Sequence, residues 1–279
     1  MSPERPLNLT TRDRLKRFGL TPKKSLGQNF CSDPRLVECM VSRLDIQNSD
    51  EVWEIGPGSG ALTTGLVGKP GLLRLFEIDS RFKDCLEDLC GGSKDIQIHW
   101  GDVLKMDLGG INPGKGLLIC GNLPYYCGTR IIRDLLMLNP PARKLVFLLQ
   151  MEVVKKAAAG PGEEDFGFLS VCVQLFAKAV IGETFSPASF YPNPQVSSMI
   201  IEFLPFQLSE EEKSMRLKAV KIASLLFEQR RKMALSLLRK KFPGTLPSWE
   251  DRFKKLGLSE QIRGERISIA QYLELAEGI

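Results

Sequence analysis

The chain has few of the residues that metal-dependent and histidine-dependent enzymes use. Its 279 residues include one histidine, His99, and seven cysteines, with no Cys-x-x-Cys pair and no cluster of cysteine with histidine. Zinc sites usually draw on four such residues at short spacings. We therefore expect no metal site and no histidine-based nucleophilic catalysis, and we interpret His99 as a structural residue of a strand. Scattered cysteines are typical of a reducing compartment.

Long apolar segments are also missing. No apolar run approaches the ~20 residues of a membrane span, and the first residues show no apolar signal region. These absences predict a protein that acts in the cytoplasm and has no membrane partner. The chain contains no internal repeat, and 43% of its residues are hydrophobic, which suffices for a buried core and allows two domains.

Charge is distributed unevenly along the chain, although the net charge is only +5. Residues 1–24 hold seven basic and two acidic residues, residues 25–209 hold sixteen and twenty-one, and residues 210–279 hold fifteen and ten. A mildly acidic centre between two basic ends suits a protein that contacts a phosphate backbone. A solvated charged surface is the alternative interpretation, and it explains most charge runs.

A glycine-rich turn follows the first predicted strand. Val52-Trp53 leads into the sequence EIGPGSG at 54–60, and a helix-like stretch follows at 61–66. Strand, glycine turn and helix bring main-chain atoms close to a nucleotide-like ligand. The Gly-x-Gly-x-Gly spacing after a glutamate indicates S-adenosylmethionine rather than a dinucleotide. A tight turn without a ligand is the alternative.

Two further predicted strands end in an acidic residue. The first contains Glu77, about twenty residues beyond the glycines, where an acid that holds ribose hydroxyls is expected. The second ends in Asp102, whose carboxylate is suited to accept a hydrogen bond from an adenine amino group. Each acid alone is more often a solvated loop carboxylate. Their order behind the glycine turn favours a shared site.

The segment Asn122-Leu123-Pro124-Tyr125 follows a fourth apolar strand and is the most informative part of the chain. An amino group conjugated to an aromatic ring is a poor nucleophile, and two fixed acceptors help it to attack a methyl group. The Asn122 side-chain oxygen and the next main-chain carbonyl can serve as these acceptors. Pro124 stiffens the turn, and Tyr125 offers a ring for base stacking. A plain turn is the alternative for the tetrapeptide alone.

With these motifs in this order, the chain closely resembles the ribosomal RNA adenine dimethyltransferases of the small-subunit type. The resemblance runs from about residue 23 to the C-terminus and includes LGQNF at 26–30, QMEV at 150–153, FGFLSV at 166–171 and PNPQVSS at 192–198. It implies N6-dimethylation of two adjacent adenosines near the 3′ end of small-subunit (16S) ribosomal RNA in the assembling 30S subunit. It also implies S-adenosylmethionine as the cofactor.

The resemblance assigns roles to individual residues. The implied cofactor contacts are Gln28, Asn29, Cys31, Gly56, Glu77, Asp102 and Asn122, and the implied catalytic residues are Asn122, Leu123, Pro124 and Tyr125. The implied base-stacking residues are Tyr125 and Phe190. The chain departs from the family at Cys31, where leucine is common, and at the four residues after Tyr125, but neither departure removes a catalytic group.

The predicted fold class is α/β, with a Rossmann-like seven-stranded methyltransferase sheet and a small C-terminal all-helical domain. Besides the four strands above, strands are expected at 144–150, 177–183 and 198–204. A capping box at Ser209 opens a region with helical periodicity and no strand pattern. We predict a flexible basic arm at 1–22, a catalytic domain at 23–206 and a helical RNA-binding domain at 207–279, in a monomer.

The densest basic cluster is Arg230-Arg231-Lys232 in the predicted helical domain. RNA phosphate contact and a helix–helix junction remain two open interpretations of it. Two other functions also remain open: a large-subunit (23S) rRNA adenine dimethyltransferase of the macrolide-resistance type, and a non-catalytic assembly or transcription factor with the same fold. The C-terminal domain argues against the first, and the intact acids and Asn122 argue against the second.

Overall fold

The computed structural model of the protein describes residues 9–111, 116–124 and 127–279, and strands and helices alternate along most of the first 205 residues. The strands are β1 (Phe30–Cys31), β2 (Glu51–Ile55), β3 (Leu72–Glu77), β4 (Ile96–Trp100), β5 (Leu118–Asn122), β6 (Lys144–Gln150), β7 (Ala177–Phe185), β8 (Phe190–Tyr191) and β9 (Ser198–Pro205). The helices are α1 (Thr11–Arg17), α2 (Pro34–Leu44), α3 (Ala61–Leu66), α4 (Lys83–Cys90), α5 (Gly128–Leu136), α6 (Met151–Ala158), α7 (Phe168–Phe176), α8 (Glu210–Glu228), α9 (Ala234–Lys241), α10 (Trp249–Lys255) and α11 (Ile269–Ala276).

Seven of these strands form one sheet in the order β4-β3-β2-β5-β6-β9-β7. β2 pairs in parallel with β3 and with β5, and β6 pairs in parallel with β5 and antiparallel with β9. The chain therefore builds the sheet outward from β2 in one direction, through β3 and β4, and then in the other, through β5 and β6. The carboxyl ends of β2 and β5 flank the point where this direction reverses, which is where open α/β sheets bind their ligands. The predicted fold class is confirmed.

The central strands are apolar because both faces of the sheet are covered. All five residues of β2 are buried, and so are the first four of β5. Helix α2 covers part of the sheet with Leu36, Met40 and Leu44, each 0% exposed. This helix begins at Pro34, because the Asp33 side chain accepts the Arg35 N–H and proline is favoured in the first turn.

Residues 10–18, which belong to the predicted flexible arm, form a capped helix, so that prediction is wrong for these residues. Thr10 caps α1 by accepting the Asp13 N–H, and Leu15, 3% exposed, belongs to the hydrophobic core. Basic residues at four of the seven α1 positions suggested a solvated arm. Three residues of α1, Thr11, Arg14 and Leu15, are nevertheless buried. Residues 1–8 lie outside the described part of the chain.

The chain divides into two compact units: the residues up to Val154 together with Val180–Pro205, and Lys155–Ala179 together with Phe206–Ile279. The boundary predicted at 206/207 thus misses residues 155–179. These residues pack with the C-terminal helices. The ring centroids of Phe166 and Phe227 are 6.2 Å apart, and the Phe206 N–H donates to the Phe176 carbonyl at 2.8 Å. We call the first the sheet unit and the second the helical unit.

The helical unit contains the helices that its sequence predicts. The capping box at Ser209 begins α8, and a second capping box, formed by Ser268 and Gln271, begins α11. α8 and α11 pack together, and Tyr272 on α11 is fully buried and donates its hydroxyl proton to the Gly264 carbonyl at 3.0 Å. Satisfying this hydroxyl lets a large aromatic ring occupy the core of a small unit.

Candidate active site

The carboxyl ends of β2, β3 and β5 open into a cleft of about 570 Å³ in the sheet unit. Its lining includes seven of the residues that the sequence assigned to cofactor binding or catalysis: Gln28, Asn29, Gly56, Glu77, Asn122, Leu123 and Pro124. The other lining residues are Leu26, Gly27, Phe30, Gly58 and Ile78. Four predicted stretches that are far apart in the sequence therefore meet in one cavity.

The glycine turn forms the main-chain wall of this cleft. Gly58 has a φ of +53°, and a Cβ at this position would lie 2.7 Å from the ring of Phe30. Gly56 has a φ of +72°, and a Cβ there would project into open space. Only glycine combines this backbone conformation with the close approach of Phe30. The turn thus presents bare peptide groups to the cleft.

Glu77 is held in a fixed position at the end of β3. It is 4% exposed, and its two carboxylate oxygens accept the N–H groups of Gly58 and Asp79, each at 2.8 Å. Burial raises the pKa of Glu77, while these two hydrogen bonds act in the opposite direction. A carboxylate oxygen has two lone pairs, so each oxygen keeps acceptor capacity for hydroxyl groups of a ligand.

Asn122 ends β5 and is tethered across the cleft. Its side-chain Nδ2 donates to the main-chain carbonyl of Asn29 at 2.7 Å. This hydrogen bond sets the orientation of the amide, because the donating end must face Asn29. The opposite end of the amide is the acceptor oxygen that the proposed chemistry needs.

The turn after Asn122 is fixed on both sides. Leu123 is 1% exposed and donates its N–H to the Leu148 carbonyl at 3.3 Å. The Pro124 carbonyl accepts the N–H of Gly128, the first residue of α5, at 3.0 Å. Tyr125, the predicted stacking residue, lies outside the described residues.

Asp79 is a residue of this site that sequence reasoning missed. Its carboxylate accepts hydrogen bonds from Gln28 Nε2 at 3.0 Å and from Arg81 Nη2 at 2.6 Å, while its own N–H donates to the Glu77 carboxylate. Arg81 holds the pKa of Asp79 at about 2. Asp79 thus joins two predicted cofactor residues, Glu77 and Gln28. Its position two residues after the strand-ending acid was the available signal.

Ile78 is a second residue that sequence reasoning missed. It lines the cleft directly after Glu77, and 48% of its surface is exposed, so its side chain is accessible to a ligand. An exposed isoleucine beside a buried carboxylate gives the cleft one apolar and one polar contact at neighbouring positions. Such a pair suits a nucleoside, which has a flat base and a polar sugar.

Two predicted cofactor residues, Cys31 and Asp102, are not part of the cleft lining. Cys31 is 4% exposed, and burial raises the pKa of its thiol to about 12, so the thiol stays protonated. Asp102 caps the short 3₁₀ turn Val103–Lys105 by accepting the Leu104 N–H at 3.0 Å. It follows Gly101, whose N–H donates to the Glu77 carbonyl at 2.8 Å, so its main chain lies next to the end of β3.

Phe190 does not have the exposed ring that the stacking prediction requires. It is 2% exposed and belongs to the hydrophobic core of the sheet unit. Its strand, β8, pairs antiparallel with β1, with Phe190 opposite Cys31. An aromatic residue ahead of a Pro-x-Pro segment suggested an ordered loop, but the sequence did not reveal the pairing that buries this ring.

The basic cluster of the helical unit lies in the turn after α8 and not in a helix. Arg230 Nε donates to the Glu265 carboxylate at 2.7 Å, and its Nη2 donates to the carbonyls of Glu164 and Phe166 at 3.4 Å. Arg231 and Lys232 are exposed. Arg230 thus links the turn after α8 to Glu265 and to residues 164–166, whereas the Arg231 and Lys232 side chains are exposed.

His99 has a structural environment. Its ring stacks on that of Phe76 with centroids 4.9 Å apart, and burial lowers its pKa. Within the described ranges, no three His, Cys, Asp or Glu side chains are grouped so that they could hold a metal ion. Within the same ranges, no helix has the length and apolar character to cross a membrane.

The sequence matches the family described as ribosomal RNA adenine dimethylase over residues 19–279. The chain belongs to this family. The resemblance inferred from the motifs is therefore confirmed, and with it membership of a family of methyltransferase enzymes.

Curated relatives cover nearly the whole chain. The ribosomal RNA small subunit methyltransferase A of Halothermothrix orenii is 34% identical over 272 residues, which are 94% of this chain and 89% of the relative. The protein of the same name from Geobacillus kaustophilus is 33% identical and covers 96% of this chain and 94% of its own. That of Ligilactobacillus salivarius is 32% identical, with coverages of 96% and 94%.

Solved structures show the same fold at lower identity. A dimethyladenosine transferase from Plasmodium falciparum superposes with a TM-score of 0.75 at 21% identity, covering 88% of this chain and 95% of its own. The 23S rRNA methyltransferase ErmE superposes with a TM-score of 0.64, also at 21% identity, with coverages of 89% and 98%. Both solved structures thus share the fold of this chain.

Proposed function

We propose that the protein transfers methyl groups from S-adenosylmethionine to N6 of two adjacent adenosines near the 3′ end of small-subunit ribosomal RNA. The observation that carries this proposal is the single cleft that brings together the glycine turn, Glu77 and Asn122. Curated relatives named small subunit methyltransferase A, aligned over almost the full chain, support the choice of RNA.

The cleft residues fit the cofactor. Glu77 has remaining acceptor capacity for ribose hydroxyls, and Ile78 offers an apolar surface for adenine. The bare peptide groups at Gly56 leave room for the amino-acid part of the ligand. Gln28 and Asn29 form a further wall, and Asp102 is proposed to contact the adenine amino group from the neighbouring strand end. Bound there, the cofactor supplies an electrophilic methyl group.

Asn122 and the Leu123 carbonyl are proposed to hold the reacting amino group. Two acceptors that engage its N–H bonds favour the tetrahedral nitrogen that attacks the methyl group. Because Asn122 is tethered to Asn29, its oxygen is oriented before substrate arrives, which is the arrangement that stabilises a transition state most effectively. The target base is proposed to stack on Tyr125 after leaving its own helix.

The RNA is proposed to bind through exposed cations of the helical unit, of which Arg231 and Lys232 are the candidates from the basic cluster. Arg230 is assigned a supporting role, because its guanidinium is already engaged by Glu265 and two carbonyls. We further propose that the enzyme acts as a monomer in the cytoplasm and prefers a partly assembled 30S subunit to naked RNA.

The other two functions receive less support. A large-subunit enzyme would share the cleft, but the relatives aligned over nearly the whole chain carry the small-subunit name. A non-catalytic factor has no need for a buried, hydrogen-bonded Glu77 or for a tethered Asn122. Burying a carboxylate carries a desolvation cost that hydrogen bonds offset only in part, so the presence of the buried Glu77 in the cleft favours catalysis.

The deciding experiment supplies the protein with labelled S-adenosylmethionine and unmethylated ribosomal subunits and maps the products by mass spectrometry. We expect dimethyladenosine at two adjacent positions of the small-subunit RNA, with more product on partly assembled subunits than on naked RNA. Asn122→Ala serves as the inactive control. Product only in large-subunit RNA would transfer the protein to the macrolide-resistance type, and no product in either would support the non-catalytic function.

A further inference from the structure

Helix α1 reaches the glycine turn although it precedes the residues 19–279 that match the family. Arg14 on this helix is 2% exposed, and its Nη1 donates to the main-chain carbonyl of Ser59 at 2.8 Å. Ser59 directly follows Gly58, a residue of the cleft wall. A charged side chain from outside the matched region therefore holds the segment that forms the main-chain wall.

The same helix holds a second wall. Thr11, one turn before Arg14, donates its hydroxyl proton to the Cys31 carbonyl at 2.5 Å. Cys31 directly follows Phe30, which lines the cleft and contacts the position of Gly58. Residues three apart lie on one face of a helix. One face of α1 thus contacts both Ser59, which follows Gly58, and Cys31, which follows Phe30.

The burial of Arg14 indicates that these contacts matter energetically. Burial lowers the pKa of its guanidinium, so keeping the charge inside carries a desolvation cost. Arg17 on the same helix has 48% of its side chain exposed; its guanidinium is 3.7 Å from the Asp88 carboxylate and lies over the ring of Phe18. An arginine that served solubility alone would be placed as Arg17 is.

We propose that α1 is a positioning element of the cofactor cleft, in which Arg14 and Thr11 hold the glycine turn and β1 at the separation that the cofactor requires. This inference rests on the assignment of the cleft to S-adenosylmethionine. Neither residue lines the cleft, so both act through the carbonyl groups of Ser59 and Cys31. The consequence is that α1 controls cofactor affinity without touching the cofactor.

The test compares Arg14→Leu, Arg14→Lys and Thr11→Val with the matched control Arg17→Leu. S-adenosylhomocysteine is titrated into each protein by calorimetry at a temperature where all are folded. We expect Arg14→Leu to bind about tenfold more weakly, as is typical for loss of a hydrogen bond from a charged group. Arg14→Lys should recover part of the affinity, because it retains a charged donor, and Arg17→Leu should bind like the parent.

Two further measurements separate positioning from general stability. At saturating cofactor, kcat of Arg14→Leu should be close to that of the parent, while KM for the cofactor rises. In hydrogen exchange without ligand, amides of residues 56–60 should exchange faster in Arg14→Leu but not in Arg17→Leu. If Arg14→Leu does not fold, Arg14→Lys and Thr11→Val carry the same comparison.

The inference would be overturned if the Arg14 variants had a lowered melting temperature but an unchanged affinity for S-adenosylhomocysteine and unchanged hydrogen exchange at residues 56–60. In that case α1 would be a packing element. The supporting result is a lower affinity for S-adenosylhomocysteine in the Arg14 variants, with normal affinity in the parent and in Arg17→Leu. If the parent itself bound no S-adenosylhomocysteine, both the cofactor assignment and the inference would fail. This outcome differs from the failure of the inference alone, in which the parent still binds.

Discussion

The two units of the protein hold the side chains proposed to be functional in opposite ways. In the sheet unit, Glu77 is 4% exposed and receives two main-chain hydrogen bonds, and Asn122 is tethered to the carbonyl of Asn29. In the helical unit, Arg231 and Lys232 are exposed on a turn. Groups that act on a transition state gain from fixed positions in a dry environment, whereas groups that attract a polyanion gain from accessibility.

From this difference we expect substitutions in the two units to have two kinds of effect. Changes in the cleft of the sheet unit should affect the rate or the cofactor affinity with little dependence on salt. Changes at exposed cations of the helical unit should affect RNA affinity in a salt-dependent manner, because binding to phosphates releases counterions. The following predictions test the comparison, beginning with the largest expected effect.

Asn122→Ala should lower the methyl-transfer rate by about a hundredfold or more, the usual loss when one preorganised polar group is removed from a transition state. RNA affinity should barely change. The measurement is a single-turnover rate on bound RNA with saturating cofactor. A rate within about twofold of the parent, far less than this expected loss, would show that the acceptor mechanism is wrong.

Glu77→Ala should weaken cofactor binding by more than about tenfold, since hydrogen bonds to charged groups contribute ~1.5–3 kcal/mol. Asp102→Ala should have a smaller effect, because Asp102 does not line the cleft and its carboxylate already caps a turn. Calorimetry with S-adenosylhomocysteine measures both. Equal affinities of both variants and the parent would remove these two acids from the cofactor site.

Neutralising Arg231 and Lys232 together should reduce the slope of log affinity against log salt by about one for each phosphate that the variant no longer binds. Arg230→Gln is the matched control and should change the slope less, since Arg230 is paired with Glu265. RNA binding is measured at several salt concentrations. An unchanged slope in the double variant would assign these charges to solubility, and a larger change in the control would reverse the division within the cluster.

The smallest change at neutral pH is expected for Glu54→Gln. Burial raises the pKa of Glu54 to about 8, from an ordinary value of 4.5, so the buried carboxyl is mostly uncharged at pH 7 and resembles a glutamine. The folded chain holds a proton that the unfolded chain releases above about 4.5. This contribution to stability is present below that pH and is lost as the pH rises through about 8.

The parent should therefore lose more unfolding free energy than Glu54→Gln as the pH rises across this window. Urea unfolding of both proteins at a series of pH values measures the difference. Thr63, whose hydroxyl donates to the Glu54 carboxylate at 2.7 Å, is present in both. Parallel stability curves for the two proteins would contradict the raised pKa.

The sequence predicted the parts of the cleft that depend on strand ends. Gly56, Glu77 and Asn122 each follow or end a parallel strand, and parallel strands bring their carboxyl ends to one edge whatever the loops do. The predicted strands at 144–150 and 198–204 fall where β6 and β9 lie. The hydrophobic pattern and the turn residues were therefore sufficient to predict these strands and the strand ends that line the cleft.

What the sequence did not reveal depends on long-range packing. The pairing of β1 with β8 buries Phe190, and it involves two-residue strands with no periodic signal. The burial of Arg14 in α1 reversed the usual expectation for a charged side chain. Residues 155–179 join the helical unit through contacts of Phe166 and Phe176, which local patterns do not encode.

The hydrogen bond between Asn122 and Asn29 joins residues that are 93 positions apart in the chain. During synthesis, the cleft can therefore form only after β5 has left the ribosome. A shorter nascent chain lacks the wall that Asn122 contributes. A ligand that binds only the finished cleft draws the equilibrium toward the complete sheet. The cofactor should thus act on the newly made chain as a folding ligand before it acts as a methyl donor.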